Sequence, residues 1–353
     1  MTDASPNGSE LTATGPDPGG MLGRFTTLRL GGPARRLVTA ATAEQAVEAL
    51  RAADEPTLLL AGGSNVVIGD AGFDGTVVLL RGGGIECLDG DLVRVQAGQV
   101  WDEFTAWTVA HGRSGVECLS GIPGSAGATP IQNVGAYGQE VAQTIASVRV
   151  WDREADEIRD WSPAECGFAY RHSVFKHEHR YFVMSVDFRL EHSDLSQPIA
   201  YAEAAKRLGV EVGERVPLAA AREVVLALRR GKGMVLDEDD HDTWSAGSFF
   251  TNPVIDADDF RSLVTGLGRD APHWPAGDAV KVSAAWLIGA AGFERGHRRG
   301  NVSLSTKHTL ALTNRGGATT AELLALAREI ADDVETKFGI RLRPEPVLIG
   351  ADF

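Results

Sequence analysis

The sequence predicts an α+β fold built from more than one domain. Helical and strand-like segments of mixed spacing surround glycine-rich loops, an arrangement that is typical of α+β proteins. Residues 147–152 and 181–190 alternate apolar and polar side chains, as half-buried antiparallel strands do. Because a single hydrophobic core rarely holds 353 residues, we expect two or three domains.

Composition and charge exclude some classes of protein. Hydrophobic residues make up 43% and charged residues 23% of the chain, which are values typical of globular proteins. The formal net charge of −14 argues against a nucleic-acid partner, because a phosphate backbone needs a basic surface. A small anionic ligand is compatible with this charge, since it needs only a few local cations.

Cysteine spacing and hydropathy predict the compartment. Cys87, Cys118 and Cys166 lack the spacing of a zinc site or a disulfide framework, which favours a reducing environment. The sequence shows no secretory signal pattern and no run of about 18 apolar residues that could span a membrane. We therefore expect a cytoplasmic protein without a membrane partner.

The elements of the N-terminal half follow from local signals. Residues 1–20 are rich in Gly, Pro, Ser, Thr and Asp and predict a disordered tail. Thr42 is a candidate N-cap for a helix that ends at Arg51, with Gln45 completing a capping box. Further predicted elements are strands at residues 57–61, 77–80 and 92–97 and a helix at residues 101–111.

Helices dominate the predicted C-terminal part. Residues 218–230 and 281–291 show helical patterns. The clearest helix covers residues 319–338, with Thr319 and Glu322 as a capping box and Gly339 as the stop.

Two groups of residues have side chains that could bind a metal, but both are better explained without one. The acidic run at residues 237–242 is typical of a solvated loop. His172, His177 and His179 have no carboxylate or thiolate partners at ligand spacing, and Lys176 would repel a cation. We expect no metal site.

Two glycine-rich segments are candidates for a phosphate site. The strand at 57–61 leads into residues 62–65, GGSN, where small residues let backbone amides approach an anion; a plain tight turn is the alternative. Residues 120–138 are also rich in glycine, but Ile122 and Val134 indicate a packed loop rather than a linker. We therefore expect residues 120–138 to cradle a phosphate or a cofactor.

Three further residues have both a functional and an ordinary interpretation. Arg171 beside Tyr170 suits recognition of a carboxylate or phosphate, although an exposed arginine at a strand end is the simpler explanation. Ser248 lacks the G-x-S-x-G context of a hydrolase nucleophile, and core packing is its simplest role. Glu345 lies between two prolines, in an extended segment that would fix the direction of its carboxylate.

The order of motifs resembles one family of flavoenzymes. From about residue 25 to residue 350 the chain contains GGSN, GIPGSAGATPIQNVGAYG, YRHSVFK, QP-x-x-Y, RR-x-K, AGSFFTNP, AAWLI and L-x-P-E. This order is similar to that of the UDP-N-acetylenolpyruvoylglucosamine reductases, the MurB family. The segment from Gln197 to Tyr201 resembles the tyrosine-bearing loop of its type I branch. Gly289, Pro346 and the segment from Ser303 to His308 depart from the family pattern.

The resemblance implies a fold and a domain division. The expected fold is the FAD-binding type shared by p-cresol methylhydroxylase-like and vanillyl-alcohol-oxidase-like enzymes, followed by a C-terminal α+β substrate domain. The FAD-binding domain would cover residues 21–200, in two subdomains at about 21–85 and 86–200. The substrate domain would cover residues 201–353, and residues 340–353 would return to the active site.

The resemblance also implies a reaction in peptidoglycan precursor synthesis. NADPH would reduce noncovalently bound FAD, and FAD N5 would pass the hydride to C3 of UDP-N-acetylglucosamine enolpyruvate, giving UDP-N-acetylmuramate. Ser248 matches the general acid that protonates C2, and Arg171 and Glu345 match the pair that polarises the substrate carboxylate. The enzyme would act as a monomer.

The resemblance assigns further residues to the two ligands. Tyr170, Tyr201, Lys232 and Asn252 match positions that bind the substrate. The FAD would be lined by Gly62, Gly63, Ser64, Asn65, Ser120, Gly121, Ile122, Pro123, Gly124, Ser125, Ala128, Thr129, Asn133, Gly135, Ala136 and Tyr137. Two other functions remain as alternatives: an FAD-dependent sugar or alcohol oxidase of the same fold, and a flavin-free nucleotide-binding protein.

Overall fold

The first part of the molecule is a small sheet with one covering helix. The computed structural model describes residues 13–14, 21–176, 178–267 and 270–353. Strand β5 lies between β2 and β3 and runs parallel to both, while β1 pairs antiparallel with β2. The strand order is therefore β1-β2-β5-β3. The elements are β1 (Ala13–Thr14), β2 (Ala34–Ala40), α1 (Ala43–Arg51), β3 (Thr57–Leu60), β4 (Val66–Ile68) and β5 (Phe73–Leu80).

A five-stranded antiparallel sheet forms the second part. Its strand order is β12-β11-β13-β7-β6, and the short strands form the pairs β14-β8 and β10-β9. The elements are β6 (Ile85–Cys87), β7 (Leu92–Gln96), α2 (Trp101–Ala110), β8 (Arg113–Ser114), β9 (Gly135–Ala136), β10 (Gln139–Glu140), β11 (Ile145–Asp152), β12 (Glu157–Trp161), β13 (Tyr181–Arg189) and β14 (Glu191–His192).

The third part begins with two helices that pack against each other and against the second part, and continues with three helices and two three-stranded sheets. These sheets have the orders β15-β17-β16 and β18-β19-β20, while β21 leaves this part to pair with β4. The elements are α3 (Ala202–Leu208), α4 (Leu218–Gly231), β15 (Val254–Asp256), α5 (Ala257–Leu267), β16 (His273–Ala276), β17 (Ala279–Val282), α6 (Ala284–Ala291), β18 (Arg298–Arg299), β19 (Val302–Leu304), β20 (Leu312–Asn314), α7 (Thr320–Phe338) and β21 (Val347–Ile349).

The strongest local signals in the sequence are confirmed. Thr319 Oγ1 accepts the N–H of Glu322 at 3.1 Å, the Glu322 carboxylate accepts the N–H of Thr319, and Gly339 ends α7 with a φ of 68°. The strands expected at 147–152 and 181–190 are β11 and β13, paired antiparallel. Thr42 caps α1, but the Gln45 side chain accepts from the N–H of Ala41 instead of completing the box.

One local expectation differs from the structure, and two others fall on residues outside the described ranges. The helix expected at 281–291 begins later, because Lys281 and Val282 belong to β17 and Ser283 caps α6 by accepting the N–H of Trp286. The expected disordered tail at 1–20 lies outside the described residues, except for Ala13–Thr14, which form the strand β1. His177 of the histidine group also lies outside them.

The acidic run at 237–242 is only partly a solvated loop. Asp242 is 4% exposed and forms an ion pair with Arg315 at 2.9 Å. Its carboxylate also accepts the N–H and the hydroxyl of Thr306. These hydrogen bonds hold the pKa of Asp242 below its ordinary value although burial alone would raise it. Within the described ranges, no group of three or more His, Cys, Asp or Glu residues could hold a metal ion.

One strand pairing connects the end of the chain to the first sheet. Strand β21 runs parallel to β4, and the N–H of Val347 donates to the carbonyl oxygen of Asn65 at 2.9 Å. The N–H of Glu345 donates to the carbonyl oxygen of Phe249 at 2.8 Å. Residues from three distant parts of the sequence therefore meet at one place.

The predicted domain boundaries at 85/86 and 200/201 remain predictions. The first sheet ends with β5 at Leu80 and the five-stranded sheet begins with β6 at Ile85, which favours the first boundary. After the second boundary, α3 and α4 pack against each other and against α2 and Cys118 of the second part. None of the helices in the described residues combines the length and apolar character needed to cross a bilayer.

Removal of the Asp242 carboxylate should destabilise the fold. Asp242→Ala leaves Arg315 and the N–H of Thr306 without their shared acceptor, so we expect it to lower the free energy of unfolding by about 3 kcal/mol. Urea denaturation measures this change. Asp239→Ala, in the exposed part of the same run, should change stability by less than about 0.5 kcal/mol; equal effects of both substitutions would contradict the role of Asp242.

Candidate active site

A cleft of about 630 Å³ lies where the three parts of the molecule meet. Its walls come from the GGSN turn, from residues 122–137, and from C-terminal residues around Ser248 and Glu345. Each of these segments enters the cleft as a loop that follows or joins regular elements. Ligand sites commonly form between domains in this way.

The two glycine-rich loops approach each other so closely that side chains would not fit. A Cβ atom on Gly62 would lie 2.5 Å from the Cα atom of Gly124, and one on Gly63 would lie 1.9 Å from the carbonyl oxygen of Phe25. Gly63 and Gly124 also have φ values of 56° and 118°. Glycine is therefore required at these positions by contact and by backbone conformation.

The same loops present a row of unpartnered backbone amides. Within the described part of the chain, the N–H groups of Gly62, Gly63, Ser64 and Asn65 donate to no acceptor, nor do those of Ile122, Gly124 and Ser125. Such groups commonly bind phosphate oxygens. Beside them the cleft wall is apolar, from Leu59, Leu60, Leu80, Ala97, Phe182 and Val183. This combination fits FAD, which carries a diphosphate between two aromatic ring systems.

A continuous hydrogen-bonded chain crosses the floor of the cleft. The amide nitrogen of Asn65 donates to the side-chain oxygen of Gln132, and the amide nitrogen of Gln132 donates to Oε1 of Glu345. Arg171 Nε lies 3.5 Å from the same Oε1 atom. Burial raises the pKa of Glu345, while Arg171, Lys176 and Gln132 oppose that rise. The chain joins residues that lie up to 280 positions apart in the sequence.

Arg171 is held in a strained conformation. Its φ is 52°, in the left-handed region that non-glycine residues rarely adopt. Its guanidinium donates to the carbonyl oxygen of Gly135 at 2.6 Å, and Lys176 Nζ donates to its carbonyl oxygen at 3.0 Å. The Tyr170 ring lies 5.3 Å from the guanidinium carbon. Backbone strain of this kind concentrates at functional sites, where surrounding contacts maintain it.

Ser248 borders the cleft on a segment fixed at both sides. The N–H of Phe249 donates to the carbonyl oxygen of Leu310 at 2.7 Å, and Phe250 forms a β-bridge with Pro344. Phe249 and Phe250 are each 1% exposed and anchor the segment in the C-terminal core. The half-buried Ser248 hydroxyl has no hydrogen-bond partner in the described ranges, so it is available to a ligand.

Cations and aromatic rings line the opposite side of the cleft. Lys232 Nζ lies 5.7 Å from the ring centres of both Tyr137 and Tyr201, which contact each other edge-to-face. Arg229, 9% exposed, donates to the carbonyl oxygen of Met234, but its Nε is buried and has no partner among the described residues. With Arg171, these groups make the cleft cationic within an acidic protein.

His308 is the uncharged imidazole on this side of the cleft. Burial lowers its pKa to about 4, and the positive charges of Lys232, Arg229 and Arg295 act in the same direction. Its Nδ1 accepts the N–H of Leu310 at 3.1 Å, which is a role for an unprotonated nitrogen.

Most of the residues expected from the sequence border the cleft. They are Gly62, Gly63, Ser64, Asn65, Ile122, Pro123, Gly124, Ser125, Ala128, Thr129, Gly135, Ala136, Tyr137, Arg171, Tyr201, Lys232, Ser248 and Glu345. The structure therefore brings together all three candidate catalytic residues.

Five expected residues lie outside the lining. Ser120 is buried and donates to the carbonyl oxygen of Glu117, and the N–H of Gly121 donates to Asp102. Asn133 is 1% exposed and donates to Glu140 and Ala169. Asn252 accepts the N–H of Ala284 at the start of α6, and Tyr170 packs on Lys281.

Sequence reasoning gave no individual role to Gln132, Arg229 or His308, which also border the cleft. Gln132 stands beside Asn133 in the quoted motif, and Arg229 stands in RR-x-K, so the motifs held the signal for both. For His308 the sequence holds no comparable signal, because its position depends on the fold of residues 305–310.

Comparison with known proteins shows where this architecture occurs. Residues 239–349 match the family described as UDP-N-acetylenolpyruvoylglucosamine reductase, C-terminal domain, and residues 34–160 match an FAD binding domain. The structure of MurB from Thermus caldophilus has the same fold, with a TM-score of 0.67 at 24% identity, covering 96% of this chain and 99% of that one.

Proteins named UDP-N-acetylenolpyruvoylglucosamine reductase are similar to this chain over nearly its whole length. Identity to the UDP-N-acetylenolpyruvoylglucosamine reductase of Streptomyces coelicolor is 57% over 341 residues, covering 93% of this chain and 89% of that protein. Identity to the reductase of Salinispora arenicola is 57% over 348 residues, covering 95% and 96%. This chain therefore belongs to the UDP-N-acetylenolpyruvoylglucosamine reductase family, and it is an FAD-binding oxidoreductase of peptidoglycan precursor synthesis.

Proposed function

We propose that the enzyme uses NADPH and noncovalently bound FAD to reduce UDP-N-acetylglucosamine enolpyruvate to UDP-N-acetylmuramate. The observation that carries the proposal is the hydrogen-bonded chain from Asn65 through Gln132 to Glu345, with Arg171 at its end and the unpartnered Ser248 hydroxyl in the same cleft. These are the groups that a reduction next to a carboxylate requires.

FAD binding needs no covalent link to this chain. The free amides of residues 62–65 and 122–125 would hold the diphosphate, and the wall that includes Leu80 and Phe182 would contact an aromatic ring. No cysteine lines the cleft in the described residues, and the histidine there is the half-buried His308. When bound, FAD supplies the redox chemistry by accepting a hydride from NADPH and donating it to C3 of the enolpyruvyl group.

Arg171 and Glu345 would stabilise charge on the substrate carboxylate. Addition of a hydride at C3 places negative charge at C2 and spreads it into the neighbouring carboxylate. The guanidinium provides a fixed positive charge, and a protonated Glu345 can donate a hydrogen bond to the same group. Because Oε1 of Glu345 already accepts from Gln132, we place the proton on Oε2. Gln132 is thus a positioning residue.

Ser248 would complete the reaction by donating its proton to C2. A serine hydroxyl is a weak acid, so this transfer needs a strongly basic carbanion within hydrogen-bond reach. The segment around Ser248 is fixed by its backbone contacts to Leu310 and Pro344. The backbone that carries this hydroxyl therefore keeps one position while the ligands change.

The cationic wall would bind the phosphates of the substrate. Lys232, Arg229 and the hydroxyl of Tyr201 are the candidate partners, and Arg229 has an N–H that lacks an acceptor in the described part of the protein. Asn252 and Tyr170, which the sequence also assigned to the substrate, lie outside the lining and would act through α6 and Arg171. Lys232 would contact NADPH and the substrate in turn.

We also propose that the enzyme works as a cytoplasmic monomer. All three candidate catalytic residues lie in one cleft of a single chain, and Cys87, Cys118 and Cys166 are free thiols, as is usual in a reducing compartment. The two alternatives from the sequence have no support here: a flavin-free protein conflicts with the FAD binding domain, and the near relatives are named reductases rather than oxidases.

Ser248→Ala tests the proposed acid. Loss of the proton donor should slow reoxidation of reduced FAD by the enolpyruvyl substrate by roughly 10²–10⁴-fold. Bleaching of FAD by NADPH should stay within about twofold of wild type, because no proton reaches C2 in that half-reaction. Anaerobic stopped-flow spectroscopy follows both steps. Thr251→Ala, on the same segment outside the cleft, is the control; equal loss in both half-reactions would exclude the acid role.

The pH dependence of substrate reduction tests the Gln132–Glu345 pair. If the protonated carboxyl is the active form, the rate falls as pH rises through the pKa of Glu345. Gln132 lowers that pKa, so Gln132→Met should move the falling limb to higher pH while preserving side-chain volume.

Glu345→Gln is the companion variant. It should reduce the rate and remove this limb, because the amide does not titrate. If the rate still falls at the wild-type pH in both variants, the ionisation belongs to another group.

The pH dependence of stability tests His308. Between pH 6.5 and about 4 the unfolded chain protonates this histidine while the native site keeps it neutral. The free energy of unfolding should therefore fall as pH falls through this window, by at most about 3 kcal/mol from His308. Denaturant titrations of wild type and His308→Gln at pH 4, 5, 6 and 7 isolate the difference. Parallel stability curves would show that His308 does not titrate this way.

A further inference from the structure

One lysine near the cleft takes part in none of the steps described above. Lys176 is half-buried, and its ammonium donates to the carbonyl oxygen of Arg171 at 3.0 Å. Within the described ranges its Nζ has no other hydrogen bond and no ion pair. Lysine side chains are seldom buried without a carboxylate partner, because burial removes their hydration. The place of this unpaired charge therefore points to a role in the adjoining site.

The acceptor of this hydrogen bond belongs to a tight turn. Ala169 and His172 donate to each other's carbonyl oxygens, at 3.0 and 3.1 Å. Tyr170 and Arg171 are the two residues between them, and the second of these, Arg171, has a φ of 52°. A positive φ at this position of a turn favours glycine or asparagine, since a β-carbon is crowded there. Contacts from outside the turn must therefore maintain the arginine in this conformation.

Lys176 supplies the contact at the strained residue itself. Side-chain hydrogen bonds attach the turn and its neighbours to the glycine-rich loop at residues 131–135. They include those from Arg171 to Gly135, from Asn133 to Ala169 and from Ser173 to Ile131. None of these reaches the carbonyl oxygen of Arg171, whose donor in the described part of the chain is Lys176. This bond therefore fixes the peptide group that carries the unusual φ.

The same ammonium adds positive charge near Glu345. Arg171 Nε lies 3.5 Å from Oε1 of Glu345, and the charge of Lys176 acts on this carboxyl together with that of Arg171. Tyr170 and Glu140 are further titratable groups near them. Two cations thus act on one buried carboxyl, where the low polarity of the surroundings strengthens their effect. Lys176 can therefore influence this site through the position of the guanidinium and through its own charge.

We propose that Lys176 is a positioning residue for substrate reduction, which holds the Arg171 turn in place and adds a second positive charge beside Glu345. The inference rests on the proposed function, in which Arg171 and Glu345 stabilise negative charge on the substrate carboxylate. Lys176 is not among the described residues that line the cleft, so it acts through Arg171 and Glu345 rather than by touching the substrate. A displacement of the guanidinium by about 1 Å is enough to slow such a reaction by roughly 10²-fold.

The first experiment compares variants of Lys176 in the two half-reactions of the holoenzyme by anaerobic stopped-flow spectroscopy. Lys176→Met removes the donor and the charge but keeps most of the side-chain length. Reoxidation of reduced FAD by the enolpyruvyl substrate, measured at low pH where the rate is constant, should slow by about tenfold or more. Reduction of FAD by NADPH should stay within about twofold of wild type, because no charge develops on a carboxylate in that step.

Two further variants serve as controls for this comparison. Lys176→Arg keeps the charge and the N–H donors, so its rate of reoxidation should lie within about threefold of wild type. Lys206→Met removes an exposed lysine of α3 and should leave both half-reactions unchanged. A wild-type rate of reoxidation in Lys176→Met, or an equal loss in both half-reactions, would overturn the proposal.

The pH profile separates the proposed role from a purely structural one. Loss of a positive charge raises the pKa of a neighbouring carboxyl. The fall in the rate of substrate reduction with rising pH should therefore move to higher pH in Lys176→Met and in Lys176→Gln, but not in Lys176→Arg. Lys176→Gln keeps an N–H donor and carries the test if Lys176→Met does not retain FAD. A fall at the wild-type pH in both uncharged variants would contradict the proposal.

A double-variant cycle tests whether Lys176 acts through Arg171. In an Arg171→Met background, Lys176→Met should slow reoxidation at low pH by less than about a further twofold, because the guanidinium that it positions is gone. A further loss of about tenfold would give Lys176 a separate role and overturn the proposal. If Arg171→Met alone reacts at the wild-type rate, the proposed function fails at Arg171. A slow Arg171→Met beside a normal Lys176→Met would refute the inference about Lys176 and leave the proposed function intact.

Discussion

The active site depends on the pairing of the last strand with β4. Val347 donates to Asn65 at the end of the GGSN turn, so the chain segment with Glu345 runs along the FAD cradle. The same segment also pairs with Phe249 and Phe250, through the hydrogen bond from Glu345 to Phe249 and the β-bridge between Pro344 and Phe250. Hydrogen bonds from Thr320 to Ile68 and from Asn314 to Leu28 join the same two parts of the molecule. The parallel pair therefore helps to bring the third part to the first, while the contacts of Glu345 with Gln132 and Arg171 connect it to the second.

Close backbone approach is the second constraint on this site. Gly62 and Gly124 meet at a distance that excludes a Cβ atom, and the approach leaves their amides facing no internal acceptor. A loop of ordinary residues would stand farther away and satisfy its amides with turns or with water. The glycines thus serve to keep two loops in contact while their hydrogen-bond donors stay available.

The charge distribution separates the cleft from the rest of the surface. The protein carries a net charge of −14, yet Arg171, Arg229 and Lys232 line the cleft, where Glu345 is the one carboxyl among the described lining residues. Burial favours the neutral forms of Glu345 and His308, so the cleft stays cationic. An anionic ligand is therefore attracted locally even though the whole molecule would repel it.

Local structure could be predicted well from the sequence because its causes are local. The capping box of Thr319 and Glu322, the stop at Gly339 and the alternation in β11 and β13 each depend on neighbouring residues. Lys281 and Val282 were assigned to the wrong element, because pairing of β17 with β15 and β16 overrides their position next to a helical pattern. Likewise, the buried role of Asp242 depends on Arg315 and Thr306, more than 60 residues away.

The sequence by itself determined the glycine loops, the family resemblance and the identity of the candidate catalytic residues. Only the tertiary structure decided which of two neighbouring amide side chains, Gln132 or Asn133, enters the cleft. Gln132 reaches Glu345 while Asn133, with a φ of 43°, turns to Glu140 and Ala169. The partners of Gln132, which are Asn65 and Glu345, come from distant segments, and a choice made by such long-range hydrogen bonds leaves no trace in local sequence.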